Sequence, residues 1–95
     1  MNSYELMYII NPTLEGEALD AVGEKVKTLI ETVKGSVTEV KKWGKRRLAY
    51  EINDFKEGVY MVVTFEVAPT EITEIDRVLK LTEPIIRFMI TRVEE

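Results

Sequence analysis

Residues 48–67 read LAYEINDFKEGVYMVVTFEV, and the pattern inside this stretch decides the fold. Val59, Met61, Val63, Phe65 and Val67 alternate with Tyr60, Val62, Thr64 and Glu66. That period of two belongs to a strand with two distinct faces. Just before it, Leu48, Tyr50 and Ile52 alternate with Ala49 and Glu51. Asn53-Asp54-Phe55-Lys56-Glu57-Gly58 lies between, a polar turn that closes on glycine. Two strands joined so closely pair as an antiparallel hairpin. The fold then depends on what flanks that hairpin.

Upstream, residues 4–10, YELMYII, are short and rich in β-formers and read as a strand, which Asn11-Pro12-Thr13 stops. From Leu14 the period lengthens. Leu14, Ala18, Leu19, Val22, Val26, Leu29, Ile30 and Val33 recur at steps of three and four, one apolar face of a helix. Glu15 and Glu17 suit its N-terminal end and Lys34 its C-terminal end. Gly35 is placed for a left-handed residue just past the helix. Gly16 and Gly23 each lower helix propensity by ~1 kcal/mol relative to alanine, and Gly23 suggests close packing against a neighbour. A strand region runs from Ser36 to about Ile52, with Gly44 as its bulge or bend.

Downstream, Ala68-Pro69-Thr70 breaks the hairpin's second strand, and Thr70 suits a helix N-cap. Ile72, Ile75, Val78 and Leu79 form a second, shorter helical stripe, ended by Thr82-Glu83-Pro84. Ile85 to Val93 reads as a final strand, with Ile86, Phe88 and Ile90 facing one way and Arg87, Met89 and Thr91 the other.

The order β-α-β-β-α-β predicts one α+β domain over residues 1–95, of the ferredoxin-like type. Right-handed crossovers put both helices on one face of a four-stranded antiparallel sheet, in strand order 4-1-3-2. The core is expected from Leu6, Tyr8, Ile10, Met61, Val63, Phe65, Phe88 and Ile90 against the helical stripes. The other face is expected to stay bare, with Glu5, Met7 and Ile9, then Tyr60, Val62 and Thr64, then Arg87, Met89 and Thr91. Met7, Ile9, Tyr60, Val62 and Met89 at its centre suit a protein interface. An ordinary half-exposed sheet would look the same from sequence.

Composition narrows the functions. The chain has 95 residues, no histidine and no cysteine. The commonest general base, the thiol nucleophile and the usual zinc ligands are therefore missing. No glycine-rich phosphate loop is present, and no run is long and apolar enough to span a membrane. The carboxylates fall mainly on polar helix faces. Neither catalysis nor a metal or cofactor is expected, and an intracellular setting is.

Charge is distributed unevenly. The chain carries 13 Lys and Arg against 17 Asp and Glu, a net charge of −4. Lys41, Lys42, Lys45, Arg46 and Arg47 gather in one run of seven residues around the chain's one tryptophan, Trp43. Without those five, the remainder stands at −9. Lysines on an edge strand oppose sheet-to-sheet aggregation, which is one reading of the run. The other is nucleic-acid contact: Lys42, Lys45, Arg46 and Arg47 meet phosphates, where guanidinium suits bidentate contact, and Trp43 stacks on a base or packs.

Tyr4-Glu5, Asn11-Pro12, the run Trp43-Gly44-Lys45-Arg46-Arg47-Leu48-Ala49-Tyr50-Glu51-Ile52, and Gly58-Val59-Tyr60 together resemble the bacterial family of small-subunit ribosomal protein six. The resemblance spans Tyr4 to Val93. It implies a structural, non-enzymatic role on the cytoplasmic ribosome. Members bind the central domain of small-subunit ribosomal RNA together with a small basic partner, small-subunit protein eighteen. The family's basic motif residues match Lys45, Arg46 and Arg47, and further basic positions match Lys80 and Arg87. Asn2 and Ser3 stand where members often carry basic residues, so no RNA contact is expected from the N-terminus.

Three other functions share this topology. A regulatory domain that binds a metabolite and dimerises would want a glycine-rich loop at a strand–helix junction, and Pro12-Thr13-Leu14-Glu15-Gly16 is a poor one. A single-strand RNA reader would want stacked aromatics on its central strands, where Met7 and Val62 stand beside Tyr60. An acylphosphatase-type enzyme would want an arginine in the loop after the first strand, which has none.

Overall fold

A computed structural model describes residues 2–52 and 55–93. Strand β1 covers Asn2–Ile10, helix α1 Glu17–Thr32, strand β2 Ser36–Ile52 and strand β3 Phe55–Val67. A 3₁₀ turn at Pro69–Glu71 leads into helix α2, Ile72–Lys80, and strand β4 is Ile85–Arg92. The sheet order is β2-β3-β1-β4, every pair antiparallel. This is the predicted ferredoxin-like α+β arrangement.

The core forms where both helical stripes meet one face of the sheet. Leu6, Tyr8, Ile10, Met61, Val63, Phe65 and Val67 from the central strands are buried with Val22, Val26 and Ile30 of α1 and Ile75 and Leu79 of α2. Burying each such side chain stabilises by ~1.5–3 kcal/mol. Phe88 and Ile90, expected in this core, pack at its margin and are half-buried, because β4 is an edge strand. Burial pushes the Tyr8 phenol up to about 12, so it stays neutral at physiological pH.

Several local features differ from the sequence reading, each for a stated reason. Helix α1 starts at Glu17 rather than Leu14, because Gly16 precedes it at φ 55°, in left-handed conformation. The Asn11 carboxamide oxygen accepts from the Thr13 N–H at 2.9 Å and the Thr13 hydroxyl at 2.7 Å, holding the chain in a turn there. Leu14 still packs on the core from outside the helix, while Ala18 is exposed. At Gly23 an added Cβ would meet nothing within 4 Å, so the expected close packing is not there.

At the C-terminal end of α1 the left-handed residue is Lys34, φ 65°, one position before Gly35. The Gly35 N–H donates to the Ile30 carbonyl at 2.8 Å and the Lys34 N–H to the Glu31 carbonyl at 3.0 Å, a Schellman closure. Gly35 serves close approach instead: a Cβ there would lie 2.8 Å from Ile30 Cγ2 and 3.0 Å from the Glu66 carbonyl. Thr70 does not cap α2; it lies inside the 3₁₀ turn, and α2 follows Glu71 with no side-chain cap. Pro69 opens that turn, where its missing N–H would have had no partner.

The hairpin is tighter than predicted. Ile52 pairs with Phe55, so β3 begins four residues before Val59, and Phe55 to Gly58 belong to the strand. The remaining turn positions, 53 and 54, lie outside the described residues. Gly58 is a close-approach glycine here, since a Cβ would collide with Ile9 Cγ2. In β4 the register slips beside Ile9 and Ile10: Ile85 faces Ile10 and Arg87 faces Ile9, leaving Ile86 as the extra residue. Ile85 therefore enters the core, in place of Ile86.

Two stability outcomes follow. Replacing Lys34 with glycine removes the left-handed strain of a residue with a Cβ and should raise stability by about 1 kcal/mol in a urea titration. Replacing Gly58 with alanine should lower it by about 1–3 kcal/mol, as Ile9 has to yield to the new methyl group.

Candidate nucleic-acid and protein interface

Strand β2 is 17 residues long and β3 is 13, but β1 pairs with β3 only over Val59–Val67. Arg46 lies opposite Gly58 and Arg47 opposite Glu57, past the end of that pairing. Both arginines therefore sit on a two-stranded arm that extends beyond the pairing with β1.

Two bulges set where the arm's side chains point. The register of β2 on β3 shifts at Thr38 and again at Trp43. The Thr38 hydroxyl donates to the Thr64 carbonyl at 3.0 Å, fixing the first. Gly44 follows the second at φ 81°, as expected of a glycine at a bulge. Each bulge reverses the alternation. Lys42, Lys45 and Arg47 lie opposite Met61, Val59 and Glu57, on the helix side of the sheet. Lys41 and Arg46 lie opposite Val62 and Gly58, on the bare side. All five are exposed, so the arm presents cations on both of its faces.

Trp43 is 46% exposed. The Arg46 guanidinium carbon lies 5.3 Å from its ring centroid, a cation–π contact. Lys41 Nζ lies 3.8 Å from Glu39 Oε1, with both side chains more than half exposed, a pair of little energetic weight.

Lys80 and Arg87 lie at the opposite edge. They line one cleft of about 370 Å³ with Asp76, Leu79, Ile85, Ile86 and Phe88, between α2 and β4. Lys80 Nζ is 2.9 Å from Asp76 Oδ2. The structure thus brings Lys42, Trp43, Lys45, Arg46 and Arg47 together and sets Lys80 and Arg87 apart from them. The pairings Arg87–Ile9, Ile9–Tyr60 and Tyr60–Gly44 form one row across all four strands. Arg87 and the base of the arm are therefore level, roughly 14 Å apart at three strand spacings.

The bare face lies between these two basic groups. Its rows are Thr91, Glu5, Thr64; then Met89, Met7, Val62; then Arg87, Ile9, Tyr60. Met89 is 54% exposed, while Ile9 and Val62 are 6% and 5% exposed. Ile9 and Val62 are the floor of this face. Met7, Tyr60 and Met89 supply the accessible surface.

The outer faces of the helices carry charged side chains of both signs. Arg77 donates to Glu74 through Nε at 2.7 Å and Nη2 at 2.9 Å. That bidentate contact holds the Glu74 carboxyl below its ordinary range and raises the Arg77 guanidinium. Sequence reasoning missed a groove of about 450 Å³ between α1 and β2. Tyr8, Val26, Met61 and Val63 line it, and Gly23, Val40 and Lys42 border it. The one trace of it in the sequence is Gly23, a residue without a side chain inside the α1 apolar pattern.

The sequence profile described as ribosomal protein S6 matches residues 3–92. Small ribosomal subunit protein bS6 of Desulforamulus reducens is 48% identical over 100% of both chains. That of Moorella thermoacetica is 46% identical over 100% of this chain and 97% of the relative. The crystal structure of 30S ribosomal protein S6 from Thermotoga maritima superposes with a TM-score of 0.92 at 35% identity, covering 97% of this chain and 87% of that one. Profile, full-length identity and superposed fold agree, and the chain belongs to the ribosomal protein S6 family of the small ribosomal subunit.

Proposed function

We propose that this protein is a structural, non-catalytic constituent of the bacterial small ribosomal subunit, in the cytoplasm, that binds the central domain of small-subunit ribosomal RNA together with small-subunit protein eighteen. The observation that carries the proposal is the basic arm standing beside a bare apolar sheet face. The arm meets phosphates through Lys42, Lys45, Arg46 and Arg47, with Trp43 beside them. Lys80 and Arg87 add a second basic group at the far edge. Met7, Tyr60 and Met89, over Ile9 and Val62, receive the protein partner.

Charge explains why two proteins act together. The basic run Lys41–Arg47 carries five positive charges, while the rest of the molecule totals −9. That acidic remainder repels RNA within a Debye length of ~8–10 Å. A basic partner on the bare face brings its own phosphate contacts next to the arm. Linking two binding surfaces raises overall affinity by ~10²–10⁴-fold without any new contact.

Replacing both Arg46 and Arg47 with glutamate should weaken binding to a central-domain RNA fragment by about tenfold or more at ~0.1 M salt. The slope of log affinity against log salt should become shallower by about 1.4–1.8, because two phosphates are no longer neutralised. The thermal midpoint should hold, since exposed charges contribute little to stability. Unchanged affinity in filter binding refutes the assignment.

Met89→Asp tests the bare face. Met89 is more than half exposed, so the isolated protein should still melt cooperatively. Affinity for protein eighteen should fall by about tenfold, because docking would desolvate the new carboxylate. Equal affinity for both forms by calorimetry would mean that the face is only solvated.

A further inference from the structure

We infer that the Trp43–Arg46 stack receives one unpaired nucleobase, so that the RNA met by the arm carries a bulged or looped-out nucleotide there. This rests on the arm being an RNA contact, as proposed above, and specifies what kind of RNA it meets.

Tryptophan's large apolar area normally draws it into a core. Here the core is filled by aliphatic side chains, Met61, Phe65, Tyr4 and Tyr8, and Trp43 is left 46% exposed. It is held in place all the same. It occupies the extra position of a bulge, followed by Gly44 at φ 81°. Apart from its chain neighbours, an added Cβ at Gly44 would meet nothing within 4 Å, so no other element crowds the bulge. The Arg46 guanidinium, 5.3 Å from the ring centroid, restrains the indole from one side.

An indole that is 46% exposed and backed by a cation has the form of a stacking platform. Any base presents a π-face to such a platform, but only once it has left its own stack. A continuous duplex offers the arm phosphates alone. A looped-out nucleotide offers a base as well, and its flanking phosphates lie on either side of it. The arm's cations match that layout, with Lys45 and Arg47 on one face of the ribbon and Lys41 and Arg46 on the other.

The test uses two RNA hairpins of identical stem, one fully paired and one with a three-adenosine bulge. Binding is followed at ~20 mM salt, where a few phosphate contacts suffice for association. The chain has one tryptophan, so its emission reports Trp43 alone. The bulged hairpin should bind more tightly than the paired one, by up to the roughly 5- to 150-fold that one base–aromatic stack supplies, and should quench the emission. Trp43→Ala should erase the preference, so that the two hairpins bind with equal affinity. Trp43→Phe should retain part of it.

Equal binding of both hairpins by the wild type, with unchanged emission, overturns the inference. If the Arg46 and Arg47 glutamate variant still weakens both, the arm remains a phosphate contact. Binding of neither hairpin, in the presence of protein eighteen as well as in its absence, would remove the RNA assignment itself. An emission shift caused by protein eighteen alone, and unaffected by RNA added afterwards, would give the ring to the protein contact and also overturn the inference.

Discussion

The structure depends on the register of β1. That strand pairs along its length with β3 on one side and β4 on the other. Its alternate residues Tyr4, Leu6, Tyr8 and Ile10 form the middle of the core. A slip of one residue would turn all four toward the bare face and bring Glu5 and Met7 under the helices. Gly58 helps to hold the register, because only a residue without a Cβ leaves room for Ile9. Ile9 in turn forms the floor between Tyr60 and Arg87. Core, bare face and the level of the two basic groups thus share one constraint.

Much of this was legible in the sequence. Alternation in Val59–Val67 and helical spacing in Val22, Val26, Ile30, Ile75 and Leu79 gave the element order and most of the core, because burial on one face leaves a periodic trace. The basic run was legible as composition. Its orientation was not. The bulges at Thr38 and Trp43 each reverse the parity of the strand, which puts Lys42 and Lys45 on one face although three positions separate them. A bulge is a property of pairing with a neighbour, and a strand's own period does not reveal it. Ile85 taking the place of Ile86 in the core has the same cause.

Other departures come from competition between local preferences. Glycine suits the left-handed position after a helix, and Gly35 stood next to it. Yet Gly35 is needed where Ile30 and the Glu66 carbonyl crowd the chain, so Lys34 takes the strained conformation. Within the candidate site, the separation of Lys80 and Arg87 from the arm follows from strand order. The resemblance grouped these residues by role, whereas the sheet sets them on opposite edges.

The placement of β4 also orders events in time. β1 precedes both of its partners in the chain, and β4 follows every other described strand. The closing Val93 N–H reaches the Ser3 carbonyl at 2.9 Å. The β2–β3 hairpin is local and needs neither terminus, and contacts near in sequence form soonest. The arm is therefore able to take shape on a nascent chain whose central strand still has one open edge. Pairing of β4 with that edge completes the four-stranded sheet on which the bare face depends.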